Sequence, residues 1–204
     1  MKKRIMAITM AVMVVSSFSG CGNSETSLNS ETTSEASITS EAATTADAAK
    51  DAESGNYVVN GSFEDADFTP WVVTNIDDVT EELDVYDRDT DAYEGVQSLH
   101  FYSGSSDVNF TAEQTISGLE SGTYKFTGHI QGDDVGDENA SVFFYVEVGG
   151  ERQVIETSLD GYVAWNTAEL SGIEVDGQDV VIGVSVTLAP GGWGTIDDIT
   201  LVRE

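Results

Sequence analysis

The sequence predicts an all-β domain: a two-sheet antiparallel β-sandwich of the jelly-roll type, with about ten strands, over residues 56–204. Three observations predict it. Short runs rich in β-branched and aromatic residues recur along this segment. Glycine-, aspartate- and serine-containing turn signals separate them, among them Glu120-Ser121-Gly122, Gly149-Gly150, Asp160-Gly161 and Asp176-Gly177. No stretch keeps a helical period for twelve residues, and short strands at this spacing argue for a sandwich.

In chain order, the strands are expected near Tyr57–Val59, Trp71–Thr74, Leu83–Tyr86, Ser98–Tyr102, Asn109–Ile116, Thr123–Gln131, Ser141–Val148, Arg152–Thr157, Tyr162–Leu170, Val180–Leu188 and Thr195–Val202. Alternation separates their faces, because successive side chains of a strand point to opposite sides. Leu99 and Phe101 therefore point one way, and His100 and Tyr102 the other. Likewise Tyr124, Phe126 and Ile130 share the core side of their strand, and Lys125, Thr127, His129 and Gln131 share the opposite side. Two strands thus offer a polar and aromatic outer face.

Two segments precede this domain. Residues 1–20 begin with Lys2, Lys3 and Arg4, followed by an apolar run of eleven residues, Ile5–Val15, broken only by Thr9. A bilayer span needs about 20 apolar residues, so the run reads as the apolar region of a secretory signal peptide. Phe18-Ser19-Gly20-Cys21 then resembles the lipobox of bacterial lipoproteins, with Phe18 where that motif usually has Leu. The resemblance implies cleavage before Cys21 and acylation of its thiol, hence a lipid anchor on the outer face of the bacterial cytoplasmic membrane. An ordinary secreted protein with a stray cysteine is the competing reading. Cys21 is the only cysteine, so the domain has no disulfide. Residues 21–55 carry a loose Ser-Glu-Thr repeat with Leu28 and Ile38 as the only large apolar residues. Such a composition buries too little surface to offset ordering entropy and is expected to be a disordered linker. As a flexible coil it spans roughly 30 Å.

Charge narrows the partners. Residues 56–204 hold 30 acids against Arg88, Lys125, Arg152 and Arg203, a formal charge of −26. That surface repels nucleic acid and anionic polymers such as polygalacturonate, and leaves neutral ligands and cations. The same charge also serves solubility.

Asn60-Gly61-Ser62-Phe63-Glu64 followed by Trp71, and Gly191-Gly192-Trp193-Gly194-Thr195-Ile196-Asp197-Asp198-Ile199-Thr200-Leu201 at the other end, resemble the first and last strands of carbohydrate-binding jelly rolls. With Ser98–Tyr102 and Gly118-Leu119 to Phe126 between them, the pattern resembles the family 61 carbohydrate-binding module found beside endo-β-1,4-galactanases. The resemblance implies binding of β-1,4-galactan or arabinogalactan, neutral side chains of pectin; a non-catalytic, monomeric domain that assists a hydrolase or an importer is expected. An exposed indole suits the apolar face of galactose, with flanking polar groups for the hydroxyls.

Trp193, among glycines next to the last strand, is the expected sugar platform rather than a structural plug. Tyr102, His100, His129 and Gln131 are the candidate polar contacts, and a solvated face is the alternative for the first two. Trp165, in mid-strand, is expected to pack at the core or an edge, with ligand contact as its second role. Trp71 is expected in the core.

Glu64 and Asp197 are candidate ligands for a structural Ca²⁺, as in related sandwiches, because oxygen donors suit that ion. Asp197 has the parity of Ile199 and Leu201 and so is expected at the core rim, with Asp198 in its place if a bulge shifts the parity. The alternative is that these acids cap turns. Asp87-Arg88-Asp89-Thr90-Asp91 lacks the EF-hand spacing, and reads as a solvated loop, as does Asp133-Asp134 with Asp137-Glu138. Nothing in the chain has the pattern of a phosphate loop, a nucleotide fingerprint or a histidine-rich metal set. An adhesive domain with a protein partner, and the binding part of a split or degenerate galactanase, are the competing functions.

Overall fold

The computed structural model describes residues 55–204. The signal segment, Cys21 and the linker up to residue 54 lie outside the described residues. Ten strands run β1 (Val72–Asn75), β2 (Glu82–Asp87), β3 (Gln97–Tyr102), β4 (Val108–Ile116), β5 (Gly122–Asp133), β6 (Ser141–Val148), β7 (Glu151–Glu156), β8 (Asp160–Val175), β9 (Val180–Leu188) and β10 (Trp193–Arg203). Short 3-10 turns follow β1 at Ile76–Asp78 and β2 at Asp89–Asp91. The strands form two antiparallel five-stranded sheets, in the orders β1-β4-β9-β6-β7 and β2-β3-β10-β5-β8. The expected all-β sandwich is what the chain forms.

Alternation builds the core as the sequence leads one to expect. Along β4, Val108, Phe110, Ala112 and Ile116 are buried while Asn109, Thr111 and Thr115 turn outward. Along β9, Val180, Ile182, Val184, Val186 and Leu188 do the same. The second sheet contributes Leu99, Phe101, Tyr124, Phe126, Ile130, Ile196 and Leu201 from its inner face. Each large side chain removed from water contributes about 1.5–3 kcal/mol. Trp71 joins this core, its indole N–H donating to the Asn60 carbonyl at 3.0 Å.

The sequence misses in detail at the first and last elements. Tyr57–Val59 forms no strand; Asn56 makes a single bridge to Val202. In β10 the register with β5 slips between Asp197 and Thr200. This bulge, with Asp198 at φ 44°, changes the parity. Ile199 and Leu201 face the core, but Asp197 points to the outer face with Trp193 and Thr195, not to the core rim as expected. The opening segment packs on the bulge: the Gly61 carbonyl accepts the Ile199 N–H at 2.9 Å, and a Cβ on Gly61 would meet the Ile199 oxygen at 2.0 Å.

Gly194 is the tightest point in the site-bearing strand. A Cβ there would lie 2.4 Å from both the Gln131 carbonyl oxygen and Cζ of the buried Phe101. Gly194→Ala is therefore expected to destabilise the domain by about 1–3 kcal/mol, the range for overpacking a core. Urea unfolding of residues 55–204 measures it, and a loss below about 0.5 kcal/mol contradicts the packing described.

Candidate functional site

The outer face of the second sheet carries the site. The register places Asp84, His100, Thr195 and Gln131 in one cross-strand row. Glu82, Tyr102, Trp193 and Asp133 form the next row. Part of that face is covered by the chain itself. The segment from Arg88 to Val96, between β2 and β3, lies across the sheet as a strap. The Asp91 carbonyl accepts the hydroxyls of Ser98 and Thr195, both at 3.0 Å. Asp197 Oδ2 accepts the Tyr93 and Glu94 amides at 2.7 and 3.1 Å, and its Oδ1 accepts the Asp198 amide at 2.7 Å. Glu64 Oε1 accepts the Val96 and Gln97 amides at 2.6 and 2.7 Å. The segment expected as a solvated loop is thus tied to the sheet, with Asp91 itself buried.

On one side of the strap is a groove of about 510 Å³. Its floor is His100, Tyr102 and Thr195, and its walls include Tyr86 and Arg88 on one side and Tyr162 and Trp193 on the other. Tyr86 stacks on His100 with ring centres 3.6 Å apart and an 11° tilt. Its hydroxyl donates to Glu82 at 2.8 Å, and burial, with Glu82 second, pushes its pKa up to about 12. Arg88 sits over the same ring and pairs with Asp91 at 3.0 Å. Trp193 is partly exposed, and the exposed Tyr162 ring stands 6.3 Å from it at 46°. The Tyr162 hydroxyl donates to the Thr90 carbonyl on the strap at 3.2 Å.

His100 is neutral at physiological pH. Burial lowers its pKa, against the pull of the Asp84 and Glu82 carboxylates. The Asp84 oxygen 3.7 Å from Nδ1 is too far for a hydrogen bond, and Nδ1 has no hydrogen-bond partner. The ion-pair distance and the titration shift point in opposite directions here, and burial prevails because Asp84 is mostly solvated.

The structure brings Trp193, Tyr102 and His100 together, and separates the other three candidates from them. His129 is buried on the far side of the strap beneath Tyr93, whose ring stacks on it at 3.7 Å. Trp165 meets the same Tyr93 edge-on at 5.4 Å. Gln131 is fully buried between Thr195 and the β8 backbone, so it offers nothing to a ligand directly. Sequence reasoning missed Tyr86, Arg88, Glu82 and Tyr162. Alternation against Leu83 and Val85 was signal enough for Tyr86 and Glu82. Tyr162 had none, because it lies in a bulge.

Glu64 and Asp197 act as the turn-holding acids that were the alternative to metal binding. Around them, Glu64, Asp65, Glu94 and Asp198 line one cavity of about 660 Å³ with no Lys or Arg among its lining residues. The oxygen donors suit calcium in kind. Yet no three His, Cys, Asp or Glu side chains converge as a metal cluster among the described residues.

No family model and no curated protein matches the chain. Solved structures do. TmCBM61, solved in complex with β-1,4-galactotriose, is 27% identical with a TM-score of 0.64, over 73% of this chain and 99% of that one. The family 22 carbohydrate-binding module at the C-terminal side of Clostridium thermocellum Xyn10B is 14% identical with a TM-score of 0.50, over 73% and 94%. A bacteriophage CBA120 tailspike domain is 15% identical with a TM-score of 0.53, but only 22% of that chain is covered. The last two speak for the fold alone. In structure, as in its opening and closing motifs, the described domain is a β-sandwich that resembles the family 61 carbohydrate-binding module.

Proposed function

We propose that the groove binds a neutral polysaccharide of the β-1,4-galactan type and does not cleave it. The observation that carries this reading is the partly exposed Trp193 set beside Tyr162 and Tyr102, over a floor of polar groups. An indole face takes up the C–H side of a galactose ring, and His100 and Tyr102 are placed to exchange hydrogen bonds with its hydroxyls. The similarity to a module solved with β-1,4-galactotriose supports galactan as the chain. Local charge supports a neutral ligand, since the one cation of the groove, Arg88, is already paired with Asp91. The groove carboxylates are likewise engaged, Glu82 by the Tyr86 hydroxyl and Asp91 by Arg88, which speaks for binding rather than glycosidase chemistry.

In this reading the chain is exported and acylated at Cys21. It then holds the domain off the cell surface on its linker, capturing galactan or arabinogalactan for a hydrolase or importer. Calcium beside Glu64 and Asp198 is a separate proposal, supported by the four carboxylates that share one cavity.

Three outcomes are expected. Trp193→Ala weakens binding of galactan oligosaccharides at least tenfold in calorimetry, while unfolding free energy changes by less than about 1 kcal/mol. Unchanged affinity removes Trp193 from the site.

Calcium raises the thermal midpoint of residues 55–204, EDTA reverses the rise, and Glu64→Gln abolishes it. Indifference to both reagents retires the ion.

For His100 the sign follows from its lowered folded pKa. The unfolded chain, titrating near 6.5, takes up a proton that the folded state refuses, so this contribution to stability is lost as pH falls below 6.5. Asp197, pushed up to about 7 by burial, contributes the opposite slope as pH falls from about 7 towards 3.8. The difference in stability between wild type and His100→Gln isolates the histidine, and it is expected to shrink on acidification. A pH-independent difference contradicts the assignment.

A further inference from the structure

Gln131 is fully buried beneath the face on which the proposed ligand lies, and the binding reading leaves it without a role. Its surroundings assign one. The pairing of β5 with β8 runs Ile130 opposite Asn166 and Gly132 opposite Gly161. Four residues, Tyr162 to Trp165, therefore stand against the single residue Gln131 in a wide bulge. Within it Val163 adopts φ 60°. A β-branched residue in the left-handed region is a genuine outlier, and it persists only where its surroundings hold it. Val163 is 61% exposed, so side-chain packing does not hold it.

The hold comes from below. Gln131 Oε1 accepts the Val163 N–H at 2.5 Å, and its Nε2 donates to the Thr195 hydroxyl at 3.2 Å. Thr195 in turn donates to the Asp91 carbonyl on the strap. The residue immediately before Val163 is Tyr162, whose hydroxyl reaches the same strap at Thr90. One buried amide thus ties together the bulge that carries Tyr162 and the strap that receives it. The ring centres of Tyr162 and Trp193, 6.3 Å apart, leave no room for a sugar between them. A sugar in van der Waals contact with two rings at once would need roughly 7–8 Å between them. The two rings therefore form one angled platform, open on the groove side.

We infer that Tyr162 is the second aromatic contact of the sugar platform, and that Gln131 is a positioning residue that fixes it by holding Val163 in its left-handed conformation. This rests on the proposed function for the ligand, but the positioning has its own readout.

The experiment measures β-1,4-galactotriose affinity by calorimetry for wild type, Tyr162→Ala, Gln131→Leu and the double variant. It adds the nuclear Overhauser contact between the Tyr162 and Trp193 rings, recorded without ligand. Tyr162→Ala is expected to weaken binding about tenfold. Gln131→Leu is expected to weaken it by a similar factor and to abolish the ring contact, yet to cost less than about twofold once Tyr162 is Ala. Should Gln131→Leu fail to fold, the exposed position serves instead. Val163→Pro removes the donated N–H and forbids a positive φ, so it is expected to reproduce Tyr162→Ala. Val163→Gly keeps both and is expected to bind as wild type. Additive losses from Gln131→Leu and Tyr162→Ala, or wild-type binding by Val163→Pro, overturn the inference and leave the galactan reading standing. No binding by the wild type overturns the galactan reading and with it the Tyr162 contact. In that case the ring contact and its loss in Gln131→Leu still decide the positioning.

Discussion

The site depends on the strap between β2 and β3 being held flat against the second sheet. Without that contact the outer face is an open, shallow surface with no groove. The polar part of the hold is made of backbone groups of the strap meeting side chains of the sheet and of the opening segment, and the Tyr93 ring stacked on His129 adds to it. Two carboxylates, Glu64 and Asp197, accept three strap amides between them, and Glu64 also accepts the Gln97 amide at the start of β3. Two hydroxyls, on Ser98 and Thr195, donate to one strap carbonyl. An amide left without an acceptor when buried costs about 1–3 kcal/mol, so each carboxylate contributes through the amides it satisfies. Glycine at 95 is part of the same arrangement. Its φ of 73° and the 2.2 Å from a virtual Cβ to Glu64 Oε1 mean that a side chain there would displace the acceptor.

Strong global charge coexists with a groove whose charged groups, Glu82, Arg88 and Asp91, are each engaged by a neighbouring side chain. The 30 acids outnumber the cations many times over, yet every one of the four cations in residues 56–204 is spent in an ion pair. Three of those pairs lie well away from the groove, and the fourth, Arg88 with Asp91, cancels within it. The long-range field therefore turns away polyanions. Close to the aromatic rings, binding is left to stacking and hydrogen bonds. Those are the interactions that an uncharged sugar chain offers.

The sandwich was legible in the sequence because it rests on period-2 alternation and turn residues, both local. The same alternation placed His100 and Tyr102 outward, and the glycines around Trp193 marked it as exposed. It also placed His129 and Gln131 outward, correctly, but outward is not exposed. Tyr93 covers the first, and the β8 bulge covers the second. Covering is a long-range event between segments tens of residues apart, and no local period encodes it. Asp197 failed for a related reason. Its facing depends on a bulge, and one extra residue in a strand reverses every parity argument beyond it. Tyr162 was invisible because four residues replace one in its register, so alternation does not apply to it.

That bulge in β10 also explains why the closing motif reads as it does. Up to Asp197, alternate residues face outward with separate tasks. Trp193 offers the platform, Thr195 anchors the strap carbonyl, and Asp197 locks the strap amides. Between them, Gly194 and Ile196 face inward, the first without a side chain because Phe101 occupies its space. After Asp197 the strand must still bury Ile199 and Leu201. Straight continuation would expose them, since they share the parity of Trp193. Inserting one residue, with Asp198 at positive φ, restores them to the core. The second aspartate of the pair is thus the cost of having three functional residues on one side and two core residues of the same parity beyond them. Gly61 receives the displaced Ile199 backbone, which couples the opening motif to the closing one. The two ends of the domain therefore constrain each other, and the Tyr57 N–H donating to the Leu201 carbonyl and the Leu201 N–H donating to Asn56 Oδ1, both at 2.9 Å, add to that hold.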